Sequence, residues 1–349
     1  MAYTAIDDPS AHHQTVIYTG NGSSRSLTNT GNSNLQPDLV WTKKRSAVQN
    51  HCVTDSTRGV GNIIFPDDSG AESATALLTS FDSDGFSINN NALVNENTAT
   101  YVAWQWKANG GTRVTFTESG ANPAGGYQAN TTAGFSIVDY TGTGTSGGTV
   151  AHGLGVQPEM VWVKRRQGTA NWCVKTTHID DGNVLFLDIS DAESNTSTPF
   201  NDTDPDTTVF TIGDNQATNE NDGTYVAYCW APKQGYSKFG SYLGSGNVDG
   251  PFVYTGFKPA WLLIKRTSTA GTWSIWDNKR DEFNVVDRQL KAESTEAEVG
   301  GYWYVDFLSN GFKVRATDAE INEDGGTLIY MAFAEQSFVS SGGVPCTAR

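Results

Sequence analysis

Residues 36–45 read QPDLVWTKKR, and residues 157–166 read QPEMVWVKRR. A third, more diverged copy, KPAWLLIKR, spans 258–266. Each copy sets a proline before an apolar run and ends in a basic cluster. In the first, Leu39 and Trp41 alternate with Val40 and Thr42. In the second, Met160, Trp162 and Lys164 alternate with Val161, Val163 and Arg165. Successive strand side chains point to opposite faces, so a strand apolar on both faces is covered on both sides. Proline cannot donate to a ladder and belongs at the start of such a strand. The motif therefore predicts a central strand with a core tryptophan, its lysines and arginines forming the solvated end.

Other landmarks recur around it in a fixed order. Upstream stand VIYTGNGSS (16–24), IVDYTGTGTS (137–146) and FGSYLGSGNVDG (239–250). Downstream stand NHCVTDSTRG (50–59), NWCVKTTHID (171–180) and TWSIWDNKRD (272–281). Apolar runs follow at 62–65, 184–187 and, more weakly, FNVV at 283–286. Then come FDSDGFSI (81–88), TVFTIG (208–213) and DFLSNGFKV (306–314). Each copy closes on Asn-Glu and an aromatic strand: NENTATYVAWQW (95–106), NENDGTYVAYCW (219–230) and NEDGGTLIYMAFAE (322–335). In YVAWQW and YVAYCW, Tyr, Ala and Gln or Cys share one face, and Val with Trp or Tyr the other. The chain is thus one unit written three times.

Short apolar runs separated by Gly, Asp and Asn turns predict an all-β fold of three tandem, related, jelly-roll-like β-sandwich units. Unit 1 with an N-terminal arm takes 1–110, unit 2 takes 134–235, and unit 3 with a C-terminal tail takes 236–349. Residues 111–133 are a linker or an added hairpin, since TRVTFTES alternates. The short junction APKQGYSK predicts that units 2 and 3 pack together.

Composition narrows function. The 349 residues carry a formal charge of −15, which disfavours nucleic acid and anionic lipid as partners. Cys52, Cys173, Cys229 and Cys346 form no CxxC pair, and three of them sit in strand-like runs as small buried hydrophobes. The N-terminus has no signal-peptide pattern, and there is no apolar run long enough for a membrane helix.

The stretches YTGNGS…LQPDLVWTKKR, GFSIVDYTGTGT…HGLGVQPEMVWVKRR and SNGFKV…NEDGGTLIYMAFAE resemble modules recurrent in virion proteins of marine tailed bacteriophages and their prophages, a tail-fibre-like family. The resemblance runs over nearly the whole chain. It implies a particle component, made in the host cytoplasm and residing in the virion, that joins other virion proteins as a homo-oligomer, with a trimer favoured. It brings no active-site motif. No heptad or collagen-like shaft is present, so a compact knob, short fibre or decoration is expected. His12 and His13 lack the His-x-His repeat by which some phage fibre tips hold iron.

No catalytic set emerges: there is no GxSxG elbow and no carboxylate pair that stands apart. The expectation is no enzyme and no cofactor, with calcium conceivable only at the acidic turns 67–73, 81–85, 201–208 and 322–326. His152 is expected to orient a loop. Asp55–Arg58 and Asp277–Arg280 occupy equivalent places and read as turn staples, where unit 2 has Thr176 and Ile179. Trp41, Trp162 and Trp261 recur after the proline and read as core. Aromatics outside the repeat pattern are the candidate ligand or interface contacts: Trp276, Tyr302, Trp303, Tyr127 and Tyr236. The function expected is a tail-fibre or receptor-binding virion protein contacting host-surface glycan or protein. The alternatives are a capsid decoration or head-associated protein and, from another class, a glycan-cleaving enzyme.

Overall fold

Tyrosine–glycine turns and buried asparagines shape each unit in the same way. In the computed structural model, which describes residues 4–301 and 304–346, every unit is a two-layer antiparallel sandwich. In unit 1 the large sheet runs in the order His13–Thr19, Thr100–Trp106, Leu39–Lys44, Cys52–Asp55. Unit 2 repeats this with Phe135–Thr141, Thr224–Trp230, Met160–Arg165 and Cys173–Thr176, and unit 3 with Ser237–Leu243, Thr327–Ser337, Phe257–Arg266 and Trp273–Asp277. We call these the opening, closing, central and fourth strands. The proline-led motif is the central strand, and it pairs with the closing strand in all three units.

The smaller sheets cover one face of the large ones. They pair Arg25–Thr28, Gly85–Ile88 and Leu78–Asp82 in unit 1, Gly148–Ala151 and Val209–Ile212 in unit 2, and Phe252–Tyr254, Gly311–Val314 and Val305–Leu308 in unit 3. The segment between units 1 and 2 is an added hairpin. Val114–Phe116 and Ala124–Asn130 extend the unit 2 sheet beyond its opening strand.

The face assignments drawn from alternation hold. Val40, Cys52 and Ala103 face the small sheet of unit 1. Val161, Val163, Tyr225, Ala227 and Cys229 do so in unit 2. The opposite faces do not meet solvent. Leu39, Trp41, Trp104, Met160, Trp162, Trp230, Trp261, Met331 and Phe333 join one cluster shared by all three units. That cluster holds eight of the ten tryptophans, so the main core lies between the units rather than inside any of them. Each such ring buries about 200 Å². At ~25 cal/mol per Å² this is several kcal/mol per ring. Trp41 meets Trp162 edge-on at 6.0 Å between centroids, and Trp106 meets Trp261 at 5.5 Å.

Two repeat assignments shift by register. Trp41 and Trp162 pair opposite Trp104 and Tyr228, but Trp261 pairs opposite Phe333. Its equivalents are Leu39 and Met160, and Leu263 stands where the other two units have Trp. A move of two residues keeps the same face, so the ring still enters the shared core. The third apolar run also moves. Leu290, not FNVV, pairs with the fourth strand of unit 3, while Val286 bridges Val305.

The Asn of the Asn-Glu landmark closes a four-residue helix in each unit, and the Glu caps it: Ala92–Asn95, Gln216–Asn219 and Ala319–Asn322. Asn95, Asn219 and Asn322 are fully buried. Each accepts from the backbone of the glycine turn and donates two bonds. Tyr18, Tyr140 and Tyr242 donate to carbonyls of the same helices at 2.7–2.8 Å. The turn glycines Gly20, Gly142 and Gly244 are required because a Cβ would strike the carbonyl oxygen of Glu96, Glu220 or Glu323. This cluster explains why Tyr-x-Gly and Asn-Glu stand far apart in sequence and recur together.

Asn219→Ala would leave the Thr143 amide and the Thr145 and Gly213 carbonyls without a side-chain partner, at about 1–3 kcal/mol for each group left buried. Urea denaturation should show a loss of at least ~2 kcal/mol for this variant. A similar change at exposed Asn221 should cost under ~0.5 kcal/mol.

Candidate functional site

The basic end of the repeated motif is the first place to look for chemistry, and it is not solvated. Lys43, Lys164 and Lys265 are completely buried. Each ammonium bridges two backbones. Lys43 donates to Gln49 O of its own unit (2.6 Å) and to Thr295 O of unit 3 (3.0 Å). Lys164 donates to Ala170 O and, in unit 1, to Ser69 O, both at 2.7 Å. Lys265 donates to Gly271 O (2.7 Å) and to Ser190 O of unit 2 (3.1 Å). The expected wet end of the strand is therefore an inter-unit clamp. The following basic residue pairs within its own unit: Lys44 with Glu96, Arg165 with Glu220, and Arg266 with Glu320 and Glu323.

The third basic residue reaches across again. Arg166 grips Glu72 of unit 1 with two bonds of 3.0 and 2.8 Å, and Arg45 grips Glu298 of unit 3 with two of 2.8 Å. Unit 2 meets unit 3 at the same place through backbone, Glu193 N to Thr267 O. Every seam thus uses the same two surfaces head to tail: unit 1 on unit 2, unit 2 on unit 3, unit 3 on unit 1. Three heterologous contacts that close make a ring with pseudo-threefold symmetry inside one chain.

The Asp-x-x-Arg pairs are staples, as expected, and they also belong to the seams. Both are fully buried, with Arg58 Nε 2.5 Å and Arg280 Nε 2.6 Å from the partner carboxylate. Arg58 also reaches Glu72, and Arg280 reaches Glu298. The neighbouring closing strand completes each pair. Tyr228 donates its hydroxyl to Asp55 at 2.6 Å, and Trp104 donates Nε1 to Asp277 at 2.9 Å. At the remaining seam Thr176 and Ile179 replace the ion pair, and the donor position holds Met331. The charged pair and its donor are lost together, which avoids a half-satisfied buried charge.

Burial shapes the titration of these groups. Lys43, Lys164 and Lys265 are each pushed down to about 8 by desolvation. Beside them, Asp67 is pushed up to about 7 and Asp188 to about 6, also by burial. These carboxyls accept from the backbone N–H of His51 and Trp172, and Glu293 does the same for Trp273. Asp277 and Glu298 are held below the usual range by their arginines, against the opposing pull of desolvation. The Cys52, Cys173 and Cys229 thiols are buried and pushed up by desolvation, which makes them inert fillers.

The aromatics expected at a binding surface are placed otherwise. Trp276 is completely buried between the sheets of unit 3. Tyr236 is buried in the shared core, 5.8 Å from Phe333. Neither reaches a surface ligand, because apolar rings of that size fill the interior first. Tyr127 is half-buried against the unit 2 core. Tyr302 and Trp303 lie outside the described residues. Carboxylates of the acidic turns have partners within the protein: Glu72 has Arg58 and, across the seam, Arg166, Glu323 has Arg266, Asp82 has Ser80 and Ser87, and Asp206 has Thr208 and Val209. Among the described residues no three His, Cys, Asp or Glu gather as a metal set. His152 does orient its loop, accepting from Leu154 N and contacting Asp206 O.

One recess between units carries no motif in the sequence. A cleft of about 200 Å³ lies between unit 1 and unit 3. Its lining includes His13 and Thr15 from the opening strand of unit 1, and Asn278, Lys279 and Glu335 from unit 3. The one signal that points to it is divergence between copies. The positions of His13 and Thr15 are Phe135 and Ile137 in unit 2, and Ser237 and Phe239 in unit 3.

Fold and seams together define an all-β protein of three sandwiches closed into a ring around a tryptophan core. The chain belongs to the family described as a domain of unknown function, DUF7483, whose model matches residues 8–337 and so spans all three units. No curated protein and no solved structure matches it. No helix among the described residues is long and apolar enough to cross a membrane.

Two outcomes test the seams. Lys164→Met strands two buried carbonyls and should cost about 2–4 kcal/mol in urea denaturation. The raised carboxyls bind a proton in the folded state that the unfolded chain has released, so their contribution to stability falls as pH rises from about 4 to about 7. Buried His13 and His51, held neutral by desolvation, act in the opposite sense, because the unfolded chain takes up their protons below 6.5. Calorimetry should therefore show the carboxyl contribution as a difference: between pH 7 and pH 5, Asp67→Asn combined with Asp188→Asn should lose more Tm, or gain less, than the unsubstituted protein.

Proposed function

We propose that the protein is a structural component of tailed-phage particles, of the tail-fibre or receptor-binding type, acting by non-covalent contact with the host surface. The observation that carries this reading is where the charged chemistry sits. Buried lysines and arginines, with the carboxylates that pair with those arginines, are spent on locking three sandwiches into one ring. Such a body suits a rigid scaffold that must survive outside a cell while presenting loops from three related units. The sequence resemblance to phage virion modules supplies the particle context. A homotrimer of the chain would multiply the loops offered to a receptor and raise avidity without new contacts. Host recognition would then rest on the exposed turns, where the three copies differ most.

Electron microscopy of particles decorated with gold-labelled antibody against this chain tests the proposal. Label at the tail tip or fibres is the expected result. Label confined to capsid faces would replace this reading with that of a decoration protein. Release of reducing ends from host polysaccharide by the purified protein would replace it with an enzyme.

A further inference from the structure

We propose that one side of unit 3 is an interface for a second copy of this chain, unit 3 meeting unit 3 across a twofold axis. The inference goes beyond host contact, since it joins copies whatever surface they bind. Divergence between the units points to this side first, and strand register fixes which positions correspond. The opening strands end on Thr19, Thr141 and Leu243, which pair opposite Thr100, Thr224 and Thr327. The first strands of the small sheets align through Leu27, Val150 and Val253, each opposite a buried phenylalanine. Flanking them are Ser26 and Thr28 in unit 1, Thr149 and Ala151 in unit 2, and Phe252 and Tyr254 in unit 3. At all three positions units 1 and 2 carry small side chains, and unit 3 alone carries large apolar or aromatic ones.

These larger groups stand in water. Leu243 is 63% exposed and Phe252 and Tyr254 are 46% exposed each, while Val253 between the two rings is buried. Val248, in the turn joining the two strands, is 59% exposed. The strands border the same side of the sandwich, because Lys238 of the opening strand donates to the Tyr254 carbonyl at 2.7 Å and lies over its ring. A half-covered aromatic ring leaves about 100 Å² in water. Clustered rather than scattered, such surface marks a protein contact. The other units cover this side themselves. In unit 2 the hairpin does so: Ala124 pairs opposite Thr141, and Asn122 accepts from Thr149 N at 2.8 Å. In unit 1 Arg25 donates to the Thr19 carbonyl, and Ser26 bonds Ser87.

The backbone says what kind of partner fits. Ser237–Leu243 is an edge of its sheet. Ala334 N donates to Tyr236 O and Gly244 N donates to Gly326 O, so even-numbered residues bond the closing strand. Ser241 and Leu243, both exposed, therefore aim their N–H and C=O groups outward. Free edges are usually guarded by charge or proline, and neither occurs from Phe239 to Leu243. The one charge of the strand, Lys238, is held by Tyr254. An antiparallel twofold contact uses the same patch on both partners. It would set Ser241 opposite the partner's Leu243 with no like charges facing, and bring apolar side chains together from both copies. The unit 2 hairpin shows that this side of a sandwich has room for an antiparallel strand. A patch this small, against the ~800 Å² per partner of a standard interface, gives a weak and reversible dimer.

Sedimentation of the full chain tests the proposal. A monomer–dimer equilibrium with a Kd of about 10 µM is expected. Added salt should tighten it, because each copy carries a formal charge of −15. Leu243→Thr combined with Phe252→Ser and Tyr254→Thr copies unit 1, and should weaken association at least about tenfold with the thermal transition kept. Ser241→Pro, which removes one outward N–H at an exposed position, should do the same. Ser241→Cys should give a cross-linked dimer with a short bismaleimide, since the native cysteines are buried, whereas Val48→Cys on unit 1 should not. A monomer at every concentration up to about 100 µM overturns the proposal and leaves the patch to a different protein. An assembly whose size the triple variant leaves unchanged, or cross-linking at Val48→Cys but not at Ser241→Cys, overturns it too.

Discussion

A buried ammonium that needs two backbones at once is the constraint on which this structure depends. Lys43, Lys164 and Lys265 each take one carbonyl from their own unit and one from the next. Removing an ammonium from water costs several kcal/mol, and only well-placed acceptors offset it. A unit folded alone would keep half of its acceptors, and its tryptophan face would stand in water. The same residues that complete one sandwich therefore commit it to its neighbour. The three units are one cooperative body because neither the core nor the charges can be satisfied in pieces.

The seams also show how a repeated interface tolerates divergence. Two of them bury Asp-x-x-Arg against a donor from the neighbouring closing strand, Tyr228 in one case and Trp104 in the other. The third replaces all of it with Thr176, Ile179 and Met331. A partial replacement would leave a buried charge short of a bond, so the members change together or not at all. Where His13 and Thr15 stand in place of Phe135 and Ile137, compensation is partial: His13 Nδ1 bonds the Gln105 carbonyl, while His13 Nε2 and Thr15 Oγ1 find no partner in the protein.

Much of the fold is legible in the order of residues. Period-two alternation assigns the faces of the central and closing strands correctly, and the recurrence of a proline-led apolar strand with Tyr-x-Gly and Asn-Glu marks three units. The departures share a cause. Trp261 slides by two residues, and Leu290 takes the place expected of FNVV, because register is set by pairing across the sheet and a two-residue slip keeps every face. Trp276 and Tyr236 look surplus to the repeat, yet the interior takes them both. The lysines look solvated because a strand that turns basic usually leaves the core.

The all-β class, the three copies and the two-faced strands follow from local spacing and from residue types that the backbone reads at short range. What covers the second face is set by packing between distant parts of the chain. The carbonyls that hold Lys164 belong to Ala170, six residues on, and to Ser69, in another unit. The carboxylate that holds Arg45 is Glu298, at the far end of the chain. No local pattern announces a partner so distant, because a buried lysine and an exposed one are written with the same letter until the neighbouring sheet arrives.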